Sequence, residues 1–124
     1  MNSYKELKVY SLSIDFVLEL YKVAETFPTD ERFGLVSQLK RAAVSIPSNI
    51  AEGAQRQTKA EFVKFLFFAF GSCAEVETQL LLANKLSMIS TDVHQELIEK
   101  LTIISKMIRK LILSLKQKDT LEKI

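Results

Sequence analysis

The chain has 124 residues and a mass of 14.1 kDa, enough for one domain over 1–124 whose core needs neither disulfides nor metal. It is 48% hydrophobic and 26% charged with a net charge of +2, and it holds only 3 Gly and 2 Pro, which excludes disorder and favours helices. One Cys rules out an internal disulfide and one His removes most metal and acid–base arrangements, so a reducing, cytoplasmic setting is expected.

The first helix is expected over about 4–26, opened by a Ser3–Glu6 capping box and stopped by Phe27-Pro28. Lys5, Glu6 and Lys8 fall in its first turns with no apolar block behind a basic head, so the start does not read as a signal peptide. Two apolar stripes run along this helix. One is Leu7, Tyr10, Ile14, Val17, Tyr21 and Ala24; the other is Val9, Leu12, Phe16, Leu20, Val23 and Phe27. At 100° per residue they lie on nearly opposite sides. A bundle helix has one side to bury, so a second stripe predicts a partner. The expected oligomer contact is Val9, Leu12, Phe16, Leu20 and Val23.

A second helix follows over about 30–54, capped by Thr29 and Asp30 and kinked at Pro47. Ser45, Ser48 and Asn49 stand where they can bond the backbone groups that the proline frees; a functional notch at Ser48 and Asn49 is the lesser alternative. Thr58 and Glu61 form another capping box, which opens a third helix over about 59–86. Its Phe62, Leu66, Ala69, Cys73, Val76, Leu80 and Ala83 step by fours and threes as a heptad seam. The fourth helix is expected over about 92–117, with a short loose tail behind it. Short connections then give an all-α, antiparallel up-down-up-down four-helix bundle. The uncharged stretches 42–51 and 65–74 fall short of the ~20 apolar residues of a membrane span, so no membrane is expected.

The run Gln38-Leu-Lys-Arg41-Ala-Ala-Val-Ser-Ile-Pro47-Ser-Asn49-Ile-Ala-Glu52-Gly53 resembles the signature of the bacterial 23S ribosomal RNA intervening-sequence protein family. Phe27-Pro28, Glu31 and Phe33-Gly34-Leu35 ahead of it continue the resemblance, as do Arg56, Glu61-Phe62, Phe65-Leu66, Ala69, Gly71-Ser72 and Glu75-Val-Glu77 behind it. Ala54-Gln55 departs from the pattern, in which a glycine often follows Glu52-Gly53. The resemblance implies a four-helix bundle assembling as a homopentameric ring. It also implies kinship with the accessory variability protein of diversity-generating retroelements, a pentamer that binds nucleic acid and a reverse transcriptase. It supplies no enzymatic activity.

Charge placement adds a ligand class. In an up-down bundle one pole collects Lys5, Lys8, Arg56, Lys59, Lys64, Arg109, Lys110, Lys116 and Lys118 against Glu6, Glu52 and Glu61, a net of +6. The other pole has Lys22, Arg32 and Lys85 against Glu19, Glu25, Asp30, Glu31, Glu77, Asp92, Glu96 and Glu99, a net of −5. A basic rim attracts polyanions, so RNA or DNA backbone binding is expected at Arg56, Lys59, Lys64, Arg109, Lys110, Lys5 and Lys8. Offsetting of helix dipoles explains Lys116 and Lys118 without any ligand. No aromatic interleaves these residues in sequence, so base stacking is not expected. The alternative is a protein-interaction scaffold for a reverse-transcriptase-like or ribosome-associated partner. Catalysis, cofactors and metal are not expected: His94 has no second His, Cys73 sits in the core seam, and no phosphate loop or Cys-x-x-Cys occurs.

Overall fold

The computed structural model describes residues 4–31 and 33–123, and for Glu6 and 118–123 the backbone alone. Four helices form: α1 (Lys8–Ala24), α2 (Leu35–Ala54), α3 (Lys59–Lys85) and α4 (Thr91–Lys123). Each packs on its neighbours in sequence, and α1 closes the ring on α4, leaving α1/α3 and α2/α4 as the diagonals. Cross-helix contacts run in opposite directions along every neighbouring pair. Gly53 meets Phe62 and Phe65 while Ser45 meets Ser72; Lys100 bonds Glu19 while Lys110 and Lys8 share a cleft further along. Tyr21 lies beside Lys40, Phe67 beside Lys116, and Asn84 beside Ile89. The bundle is therefore antiparallel throughout.

Helix ends follow local chemistry, with some departures from expectation. Thr58 Oγ1 accepts from the Glu61 amide at 3.1 Å, and Ser90 Oγ accepts from that of Val93 at 3.1 Å. The Ser3 capping box lies outside the described residues. α1 instead starts after Leu7, whose extended backbone separates it from a 3-10 turn at Tyr4–Glu6. Thr29–Glu31 is likewise a separate 3-10 turn, and α2 begins only after Gly34. α3 ends in a Schellman motif: the Met88 amide donates to the Ala83 carbonyl at 2.8 Å and that of Ser87 to Asn84 at 3.0 Å. Ser87 takes the left-handed position, at φ 62°, that glycine fills most easily. α4 continues to Lys123, so the expected loose tail is helical.

The core is one cluster, including Phe16 and Leu20 of α1, Leu39, Ile46 and Ile50 of α2, Leu66, Val76 and Leu80 of α3, and Leu97, Ile104 and Ile108 of α4. Each such side chain, fully buried, stabilises the fold by roughly 1.5–3 kcal/mol. The heptad seam expected on α3 is buried as a whole, from Phe62 to Ala83. By length and composition alone α3 is apolar enough to cross a membrane, a test that the core helix of a bundle also passes. Here that seam faces the other helices, as in the core helix of a bundle.

Several positions of the signature run have structural work. α2 stays helical through Pro47. Ser48 Oγ donates to the Val44 carbonyl and Asn49 Nδ2 to that of Ser45, each at 2.8 Å, so neither side chain goes to the Ala43 carbonyl that the proline leaves without its helical donor. Asn49 Nδ2 also donates to Ser45 Oγ at 2.8 Å, which lies 2.8 Å from Ser72 Oγ, which in turn donates to the Phe68 carbonyl at 3.1 Å. This relay ties α2 to α3. One turn on, a Cβ on Gly53 would stand 2.6 Å from Phe65 Cβ, so only glycine lets the two helices approach this closely.

Candidate nucleic-acid interface

The α1 stripe expected to face a partner faces the core instead. Val9, Phe16 and Leu20 are buried, Phe16 and Leu20 almost completely, and Leu12 and Val23 are half-buried against the same cluster. They already belong to the bundle core, so this stripe does not present an outward apolar face. The opposite stripe is the more outward one: its Ile14 and Tyr21 are exposed, with Leu18 beside them, although its Ala24 is buried. Ile14 and Leu18, with Tyr10 and Val17, line a groove whose other wall is Val44, Pro47, Ser48 and Ala51 of α2. Two equally apolar stripes carry no mark of which one the other helices cover.

The expected basic residues divide into three groups. Arg56 lies in the α2–α3 turn between two carboxylates, 2.8 Å from Glu52 and 3.9 Å from Glu61, with its guanidinium 4.7 Å from the Phe65 ring centroid. Two acids on one guanidinium leave this spot without an excess of positive charge, so Arg56 is a poor phosphate ligand. Lys5 lies in the turn before α1, Lys59 at the start of α3, and Lys64 further along α3, exposed. Lys118 and Arg32 fall outside the described side chains.

The remaining cations gather along α4. Lys8 and Lys110 border one cleft between α1 and α4, with Leu7, Val9, Met107 and Leu111 between them. Arg109 and Lys116 border another between α4 and α3, floored by Phe67, Phe70, Ile112 and Leu113. Consecutive residues point about 100° apart, so Arg109 and Lys110 serve opposite flanks of one ridge. Lys106, also exposed and one turn back, extends the ridge; assigning charges by helix ends overlooked it. Between Glu99 and Asp119 the sequence of α4 has no acidic residue, and between Glu61 and Glu75 α3 has Lys64 alone as a charge. Aromatics do interleave here: Lys116 Nζ lies 5.1 Å from the Phe67 centroid, and Phe67 and Phe68 are each about half exposed. Sequence order hid this, because ring and cation sit on different helices.

Burial, with the Glu77 charge adding to it, pushes the Cys73 thiol up to about 12. Among the described residues no three His, Cys, Asp or Glu side chains come together to hold an ion. At the other pole, Lys100 bonds Glu19 at 2.6 Å and Glu96 at 3.4 Å, and the Glu19 hydrogen bond raises its pKa.

No curated protein matches the chain. Among solved structures it is similar to a protein of unknown function of the S23 ribosomal protein family from Bacteroides thetaiotaomicron VPI-5482, with a TM-score of 0.79 and 25% identity. That likeness covers 84% of this chain and 97% of the other. The family model described as 23S rRNA-intervening sequence protein matches residues 5–110, and with its signature run on α2 accounted for, the chain belongs to that family.

Proposed function

We propose that this protein is a non-enzymatic, homo-oligomeric bundle, a pentamer by the family resemblance, that binds the backbone of nucleic acid, RNA foremost, in the cytoplasm. The observation that supports binding is the ridge of Lys106, Arg109, Lys110 and Lys116 on a stretch of α4 whose sequence has no acidic residue, with Lys8 across one cleft. Such a row neutralises successive phosphates and releases their counterions. Binding should therefore weaken steeply with salt, by about 0.7–0.9 in log K against log salt for each phosphate neutralised. Replacing Lys106, Arg109 and Lys110 by Gln should lower affinity and flatten that slope, while replacing Lys22 and Lys85 by Gln should do neither. Absence of binding by the unaltered protein at low salt would refute the reading.

The α1–α2 groove supports self-association, since Ile14, Leu18 and Val44 form an exposed apolar strip along it. Leu18→Asp should give a monomer with unchanged helix content in light scattering with circular dichroism. The same strip favours the second reading, a scaffold for a reverse-transcriptase-like or ribosome-associated protein. That reading replaces the first if Leu18→Asp leaves the oligomer intact and the ridge binds no nucleic acid.

A further inference from the structure

Phe67 and Phe68 are adjacent on α3 and equally exposed, at 48% and 49%, yet their surroundings differ. Phe68 packs edge-on against Phe65, whose other neighbour is Arg56, the guanidinium held by Glu52 and Glu61. Phe67 instead opens into the α3–α4 cleft, whose lining has two cations, Arg109 and Lys116, and no carboxylate. The cleft holds about 160 Å³. A cavity of roughly 150 Å³ takes one benzene ring. The space therefore suits a single planar six-membered ring lying against Phe67, with an anionic group reaching the cations at its rim.

We propose, building on the nucleic-acid reading above, that this cleft captures one unpaired base of a single-stranded nucleic acid. The base takes the face of Phe67 over which the Lys116 ammonium lies at 5.1 Å, and its adjoining phosphates draw Lys116 off the ring and meet Arg109. A paired base cannot enter, because its ring is already stacked within the duplex. The ridge alone is indifferent to strandedness; the cleft turns it into a single-strand binder. Stacking on an aromatic ring is sequence-tolerant, so no base-specific readout is needed.

The test uses the full chain and two fluorescent probes, a 20-nucleotide oligouridylate and a 20-base-pair RNA duplex, at low salt. Phe67→Ala should weaken the single strand by roughly 5- to 100-fold, the span of one lost base stack, and leave the duplex within about twofold. Its salt slope should not change, since no phosphate contact is removed. Phe67→Leu, which keeps the apolar bulk, should show the same selective loss, and Phe68→Ala should not. Equal binding of both probes with no effect of Phe67→Ala would overturn the stacking site while leaving the ridge in place. Equal losses from Phe67→Ala and Phe68→Ala would also overturn it. Failure of the unaltered protein to bind either probe would remove the nucleic-acid reading itself. Binding to anionic phosphatidylglycerol vesicles in place of the single strand would reassign the cleft to lipid and overturn the proposal.

Discussion

Two glycines on or against α3 should respond oppositely to the same substitution. Gly53→Ala gains about 1 kcal/mol of helix propensity. Against this, the new Cβ would stand 2.6 Å from Phe65 Cβ, 3.1 Å from Phe62 Cδ1 and 3.3 Å from the Phe62 carbonyl oxygen. A Cβ cannot rotate away from a Cβ, so relief requires α2 and α3 to separate. Overpacking typically costs about 1–3 kcal/mol, and a backbone-borne clash belongs at the top of that range. The net effect is a loss of about 2 kcal/mol.

At Gly71 nothing lies within 4 Å of an added Cβ, so Gly71→Ala keeps the propensity gain of about 0.5–1 kcal/mol. An unfolding entropy of about 2.1 cal/mol/K per residue converts these into a fall in Tm of about 8 °C for Gly53→Ala and a rise of about 2–4 °C for Gly71→Ala. Urea unfolding followed by circular dichroism, repeated at several protein concentrations, separates stability from assembly. Shifts of the same sign in both variants would refute the close approach of α2 and α3 at Gly53.

Ser87→Gly should stabilise the fold by about 1 kcal/mol in urea unfolding, because the left-handed backbone there penalises any side chain. The Cys73 thiol, held near 12, should resist alkylation by iodoacetamide at pH 8 in the folded protein and react once urea unfolds it. Both Cys73 and Lys100 have folded pKa values raised above their unfolded ones. Their contributions are full below about pH 8.5 for the thiol and 10.4 for the ammonium, and are lost as pH rises through the folded values. Cys73→Ala should therefore flatten the onset of alkaline destabilisation in pH-dependent melts, and Lys100→Met its later part. Leu20→Asp should abolish folding, not merely assembly, as circular dichroism would show by loss of helix content, because its side chain is fully buried.

Much of the fold was legible where one local signal sufficed. Thr58 caps α3 as read, and the α3 seam from Phe62 to Ala83 is the buried face. The misreadings have a common cause, which is that tertiary placement decided them. The α1 stripes have equal periodicity, and only the position of the other helices selects Phe16 and Leu20 over Ile14 and Leu18. The Arg56 site looked basic because Glu52 and Glu61 are four before and five after it, and only the turn folds both onto it. Ser87 carried no helix-stop signal, since its role depends on backbone conformation and not on residue type. Lys106 lies well inside a helix, where counting charges at helix ends does not look.

The residues that identify the family and those that offer a ligand site are largely different sets. Ile46 and Ile50 fill the core, Ser45 and Asn49 join α2 to α3, and Gly53 permits their contact. These are demands of packing, which any ligand would leave unchanged. The cationic ridge lies on α4, and the cleft proposed to stack a base lies between α4 and α3, both away from that run. Matching the α2 run therefore transfers the bundle to this chain, whereas the ligand must be argued from Phe67, Lys106, Arg109, Lys110 and Lys116. Within the family, a bundle with carboxylates at those α4 positions would keep the fold and lose the polyanion site. Charge along α4, rather than the run around Pro47, is the sequence feature that should sort such proteins by what they bind.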